Sequence, residues 1–184
     1  MRSRVNEVFM SLTYLIQDLR SIAGSERASR VLKSVVFDHT AHLTIMLRLG
    51  QSLLKIPVIG RVLSFLVEYF IRIVFGSDIS CRAQIGPGLC IMHGHDIVIG
   101  ADVVMGSNCK IFNGVTFGNQ DLSKTSKGNQ PTLANNVVIC TGAKVLGPIF
   151  LGDNVVVGAN SVVVKSFPQD TVVVGVPGKA LVRT

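Results

Sequence analysis

From Ile79 onward an aliphatic residue returns at every sixth position: Ile79, Ile85 and Ile91, then Ile99, Met105, Ile111 and Phe117, then Leu133, Ile139, Val145, Leu151, Val157 and Val163. Four residues after most of these comes a second small or apolar side chain, at Ala83, Leu89, Val103, Cys109, Val115, Val137, Ala143, Ile149, Val155 and Ser161. A helix places apolar residues about every 3.6 positions and a strand every second, so neither accounts for a period of six. A triangular parallel β-helix does. Each hexad builds one flat side, three hexads close a coil of roughly 18 residues, and the aliphatic at the head of each hexad points inward. At the corners, Gly100, Gly106, Asn108, Gly152, Asn154, Gly158 and Asn160 are expected to supply positive φ. A chain that is 48% apolar but only 6% aromatic, with no Trp, suits coils filled by aliphatics.

Residues 1–76 follow a different period. Val5, Phe9, Leu12, Leu15, Ile16 and Leu19 recur at helical spacing, and Ser25-Glu26 reads as the start of a second helix. A third is expected from about Ala41 to Lys55 and a fourth from about Arg61 to Phe75, with Pro57 and Gly60 between them. In the fourth, Arg61, Ser64, Glu68 and Arg72 form one narrow polar stripe, so the remaining apolar surface must be covered by a helix, another subunit or a membrane surface. The chain thus divides into an α-helical domain, 1–76, and a β-helix domain, 77–184, with an extruded loop at 120–131. The formal charge of +7 divides as well, with +5 on 1–76 and +2 on 77–184. The basic helical part is the candidate for an anionic surface. No nucleic-acid partner is expected, because no aromatic set or recognition motif accompanies the charge. Between Leu53 and Phe75 the apolar run is broken by Lys55, Pro57, Glu68 and Arg72, so it does not read as a membrane span. With no secretion signal, and with cysteines that form no Cys-x-x-Cys pair, a cytoplasmic location is expected, with the helices at the inner membrane face as an option.

The two breaks in the period carry the chemistry. Ile91 to Ile99 is two residues too long, and the surplus falls at Met92-His93-Gly94-His95-Asp96. Between Phe117 and Leu133 a polar loop is inserted. Loops on a rigid solenoid are where function concentrates. His93 lies in the bulge, and Asp78, fifteen residues earlier, falls almost one coil away, about 4.8 Å in rise. A neutral imidazole oriented by a carboxylate can take the proton of a hydroxyl as that hydroxyl attacks an acyl group. His93 bonded to backbone is the competing structural role, and His95 reads as a solvated neighbour. Six of the eight basic residues of 77–184 lie beyond position 120, among them Lys124, Lys127, Lys144, Lys165 and Lys179, where they can meet phosphates.

The runs Asp78-Ile79-Ser80, Ala83 to Gly88, Ile91-Met92-His93-Gly94, Gly114 to Asn119, Gly142 to Gly147 and Gly175 to Lys179 resemble the serine acetyltransferase group of hexapeptide-repeat acyltransferases. The resemblance covers the repeat half and extends weakly upstream through His42 and Arg48-Leu49-Gly50. It implies a left-handed β-helix, acetyl-CoA as co-substrate with no metal, and a homotrimer whose sites lie between adjacent subunits. It also implies His93 as general base with Asp78 as its partner. Gly118 and Asn119 would bind the pantetheine arm, and Thr141, Gly142, Ala143 and Lys144 would line the groove, with Lys165 and Lys179 near the phosphates. Met92, Asn113 and Gln130 would face the acceptor.

The acceptor side departs from the group. The loop of serine acetyltransferases ends in an Arg-His pair before a proline, where this chain has Asn129-Gln130-Pro131, and Met92 stands where an acidic residue precedes the histidine. Losing a bidentate Arg contact to a desolvated carboxylate costs on the order of a few kcal/mol. The leading expectation is therefore a sugar or polysaccharide acceptor, as in the similar acetyltransferases of exopolysaccharide and capsule biosynthesis, with serine O-acetylation as the alternative. A carbonic-anhydrase-type metal protein built on His93 and His95 and a non-catalytic scaffold are remote alternatives. The C-terminus, Leu181 to Thr184, lacks the isoleucine tail that docks cysteine synthase, so no such complex is expected.

Overall fold

The structure, a computed structural model, describes residues 2–181, with side chains described from residue 12 onward. Val5 and Phe9, and the tail at 182–184, lie outside the described side chains. Four helices come first: α1 (Arg2–Ala23), α2 (Ala28–Phe37), α3 (His39–Leu53) and α4 (Ile59–Phe75). Helix α3 starts two residues before the expected Ala41 because Asp38 caps it, its carboxylate accepting from the Thr40 amide at 2.9 Å. Helix α4 likewise starts before Arg61. Gly60 does not break it but lies inside it, pressed so closely against the Leu53 carbonyl that a side chain there would collide.

Residues 78–180 form short strands on three faces, as a left-handed β-helix. The first face stacks β1 (Asp78–Ile79), β4 (Val98–Ile99), β7 (Thr116–Gly118), β10 (Lys144–Leu146) and β13 (Val162–Val163), all parallel. The second stacks β2 (Gln84–Ile85), β5 (Val104–Met105), β8 (Thr132–Leu133) and β11 (Phe150–Leu151). The third stacks β3 (Cys90–Ile91), β6 (Lys110–Ile111), β9 (Val138–Ile139), β12 (Val156–Val157) and β14 (Val172–Val174), closed by antiparallel β15 (Lys179–Ala180). Each aliphatic that heads a hexad is buried, as is the second inward position of each, so the interior is a continuous column from Ile79 to Val173.

The corners divide the expected work between two causes. Asn108, Asn154 and Asn160 take positive φ, as do Gly88, Gly114 and Gly142. Gly100, Gly106, Gly152 and Gly158 do not. At Gly106 and Gly152 glycine is required because the next coil passes beneath: a Cβ on Gly106 would lie 2.7 Å from the Ala134 carbonyl.

The helices are tied to the first coil by one buried ion pair. Arg48 Nε donates to Asp18 Oδ2 at 2.7 Å, while its other nitrogens donate to the carbonyls of Ile85 and Gly86. The remaining oxygen of Asp18 accepts from the Leu89 amide at 2.8 Å. Burial pushes the Asp18 carboxyl above its ordinary value, and the pull of Arg48 and the Leu89 amide does not fully offset it. One polar cluster thus joins α1, α3 and the turns around β2 and β3.

The polar stripe of α4 faces the coil. Glu68 accepts from the Cys81 amide at 2.6 Å and from the Ser80 hydroxyl, and Ser64 is buried. The outward side of α4 is apolar: Phe65 is 62% exposed and Ile73 65%, with Val62, Leu66, Tyr69 and Phe70 alongside. Among the described residues no helix is long and apolar enough to cross a membrane.

Candidate functional site

The bulge after β3 falls on the edge where the third face turns into the first. Its backbone is tied down from several sides. The Asp96 amide donates to Gly76 O at 3.1 Å, the Ser77 hydroxyl lies 3.4 Å from Gly94 O, and the Gly114 amide of the next coil donates to His95 O at 3.4 Å. Asp96 itself adopts a positive φ. What this scaffold leaves outward is the His93 ring, exposed and without a hydrogen bond among the described residues. Its neighbours are the Phe112 ring at 6.3 Å between centroids, and Met92, 39% exposed, whose sulfur lies 3.7 Å from Cys90 Sγ.

Asp78 is not joined to His93 by a hydrogen bond. It opens β1 beside the Gly76-Ser77 turn that carries the bulge, but its Oδ1 is taken by Arg72 Nη2 at 2.6 Å, a half-exposed ion pair. The helix-to-coil pair with Arg72 holds one oxygen of Asp78, and the sequence showed Arg72 only as one member of a polar stripe. Phe112 is the second residue that the sequence reading missed. It occupies an inconspicuous position directly after a hexad head.

The other named positions divide between the two edges of the first face. Asn113, Thr141 and Gly142 stack below the bulge on the third-to-first edge, where the Thr141 hydroxyl lies 3.3 Å from Asn113 Oδ1 and the Gly142 amide donates to Asn113 O at 2.9 Å. Ala143 cannot line a groove as expected, since its methyl is in the core and both its backbone groups are bonded. Lys144 lies along the first face with its ammonium on Gly114 O and the Thr116 hydroxyl.

Gly118, Asn119, Lys165 and the loop lie on the opposite, first-to-second edge. Asn119 folds the loop by donating to the carbonyls of Lys124 and Thr125. Gln130 is an anchor: its side-chain oxygen accepts from the Asp102 amide at 2.9 Å, and Asp102 in turn accepts from Gly128. In a single chain Gln130 is therefore across the face from His93, and does not join Met92 and Asn113 beside it. Lys165 lies over the Phe167 ring, and Lys179 is exposed on β15. Among the described residues no group of three His, Cys, Asp or Glu side chains converges as a metal ion requires. Three of the four thiols are buried and none is bonded to another, and burial raises Cys81 to about 11.

A left-handed hexapeptide-repeat coil carrying an exposed histidine on a bulged edge, with an extruded loop on the next edge, defines the class as a β-helix of acyltransferase type. No family model matches the chain. It is 45% identical over 130 residues to a serine acetyltransferase of Synechococcus elongatus, a match covering 71% of this chain and 51% of that protein. To a serine acetyltransferase of Bacillus pumilus it is 32% identical over 177 residues, covering 95% of this chain and 79% of the other. The chain belongs to the serine acetyltransferase family. It nevertheless spans only about half the length of the Synechococcus relative.

Among solved structures, the serine acetyltransferase of Neisseria gonorrhoeae in complex with serine superposes with a TM-score of 0.83 at 27% identity, covering 98% of this chain and 72% of that one. The enzyme of Brucella abortus in complex with coenzyme A gives 0.85 at 28%, covering 98% and 71%. These relatives carry serine in their names, and none names polysaccharide or capsule, so the expected sugar acceptor finds no support in them.

Proposed function

We propose that the chain transfers an acetyl group from acetyl-CoA to the hydroxyl of L-serine, with His93 as the general base. The observation that carries this reading is the His93 ring, solvent-facing and unbonded on a bulge whose backbone is held by Gly76, Ser77 and Gly114. One ring nitrogen accepts the hydroxyl proton as the hydroxyl oxygen bonds to the acetyl carbonyl carbon. The C–S bond then breaks, and the imidazolium returns the proton to the departing thiolate. No thiol beside His93 is placed for an acyl-enzyme: Cys90 is buried under Ser21, and burial raises its pKa. The co-substrate is supported by the Brucella complex and by open space beside Gly118, where an added Cβ would meet nothing within 4 Å. Serine is supported by the names of the relatives and by the Neisseria complex.

A second reading, a sugar or polysaccharide hydroxyl, is favoured by Met92 and Gln130, since neither supplies the charged groups that a free amino acid calls for, and Gln130 is already bonded to Asp102. Rates with acetyl-CoA and either L-serine or capsular oligosaccharides separate the two, and efficient turnover of serine excludes the sugar reading. His93→Ala lowers either rate by about 10² to 10⁴ with coenzyme A binding little changed. A variant that keeps its full rate removes His93 as the base.

The reading also includes assembly as a trimer. His93 and the Gly118 edge lie on opposite sides of one face, so a site that uses both takes one edge from each of two copies. The apolar side of α4, directly above the same face, is assigned to the contact between copies. Nothing in the relatives' names supports a membrane contact for it.

A further inference from the structure

A cavity of about 490 Å³ opens beside the bulge, lined by Ile22 and Ala23 at the end of α1, by Arg30, Lys33, Ser34 and Phe37 of α2, and by Asp38 and His39. Its wall meets the bulge at one contact, where the Gly94 amide, next to His93, faces His39 Nε2 at 3.4 Å. Arg30 and Lys33 are three residues apart and so share one side of α2. Among the described residues neither side chain forms an ion pair or a hydrogen bond. The one carboxylate in the lining, Asp38, is ionised and offsets one of the two charges, but it forms no ion pair with either cation. Asp38 is occupied by the Thr40 amide and hydroxyl and by Ser34, within its own helix cap.

Two cations without a side-chain partner therefore border a solvent-open cavity beside the apolar Ile22, Ala23 and Phe37. The loop carries no charge at Asn129-Gln130, whereas this cavity carries two cations on a different element.

We propose that Arg30 and Lys33 bind an oxyanion carried by the acceptor while its hydroxyl reaches His93. This rests on the acetyl-transfer reading and deepens it. The oxyanion is the carboxylate of serine or the phosphate of a phosphorylated sugar, and the experiment distinguishes these sources. L-serine and serinol, which keeps the ammonium but lacks the carboxylate, then glucose 1-phosphate and glucose, are titrated calorimetrically into the His93→Ala chain saturated with coenzyme A. The member of one pair that carries the oxyanion binds at least about tenfold more tightly than its partner without one, and that preference disappears in Arg30→Gln/Lys33→Gln and is kept in Arg30→Lys/Lys33→Arg. Loss of preference for serine identifies a carboxylate, and loss for glucose 1-phosphate identifies a phosphate.

In the active chain the double Gln variant raises KM for the acceptor that carries the oxyanion, with Kd for coenzyme A unchanged. Equal binding of the members with and without the oxyanion by the parent, or a preference that survives the double Gln change, overturns the proposal. If the parent acetylates no acceptor, the acetyl-transfer reading fails, and the titrations still decide whether the cavity takes an oxyanion.

Discussion

Gly118 lacks both of the usual structural reasons for a glycine. Its φ lies outside the left-handed region, and a Cβ there would meet open space, whereas Gly142, at φ +74, would both strain and drive its Cβ into Asn160 Oδ1. A residue that the fold does not require to be glycine, on the edge assigned to the pantetheine arm, is explained by the room it leaves. Gly118→Leu is therefore expected to keep the parent's stability within about 0.5 kcal/mol while raising Kd for coenzyme A at least about tenfold. Calorimetry beside a thermal melt reads both, and unchanged affinity would take the arm off this edge. At this scale the resemblance set Met92, Asn113 and Gln130 before the acceptor beside His93, and within one chain only Met92 and Asn113 share its edge of the coil. The sequence could not place Arg72 on Asp78, because that ion pair depends on how a helix lies on the first coil and no periodicity encodes such an angle. It also missed the cationic pair Arg30 and Lys33, which in a one-dimensional pattern looks like any solvated helix face.

Element boundaries are set by local chemistry that acts against the hydrophobic pattern. Asp38 is such a case, capping α3 between two helices with a single non-helical residue. Burial pushes its carboxyl up, but hydrogen bonds from the Thr40 hydroxyl and amide, with help from His39 and Ser34, outweigh this and leave the pKa below the ordinary carboxylate value. A depressed acid stabilises the fold fully above its unfolded pKa, roughly 3.9, and the contribution is lost as pH falls through the folded value. Asp38→Ala should cost about 1 kcal/mol at neutral pH, with the gap between variant and parent closing below about pH 4. Denaturant melts across that range check it, and a gap independent of pH would mean that the cap acts through packing and not through charge. Helix α4 shows the opposite weakness of pattern reading. Its four polar residues were legible as a stripe, but their orientation was not: Glu68 and Arg72 face the coil because Cys81, Ser80 and Asp78 offer them partners, and the apolar side is left outward.

For the whole molecule, that outward apolar side and the division of the site between two edges point to the same arrangement. The period of six made the coil legible almost residue by residue, because a repeat that stacks on itself leaves little freedom in register. How coils associate is not written in a period, and depends on which surfaces remain unsatisfied. The first face is bordered by His93 on one edge and by Gly118 and the loop on the other, and α4 presents Phe65, Leu66, Tyr69 and Ile73 above it. If one active site takes its base from one copy and its acetyl-CoA edge from the next, two impaired variants must complement each other. Subunits carrying only His93→Ala and subunits carrying only Gly118→Leu are mixed, unfolded and refolded together, then assayed at acetyl-CoA well below the weakened Kd, where each alone keeps at most about a tenth of the parent rate. Random reassortment in a closed ring leaves about a quarter of the interfaces with both native edges, so the mixture should recover about a quarter of the parent rate. A site built within one chain gives no recovery, because every subunit still carries one lesion. Changing Leu66 to Asp supplies the control. It introduces a charge at the proposed contact and at no residue of the site, and it should yield folded monomers in which the same mixture recovers nothing.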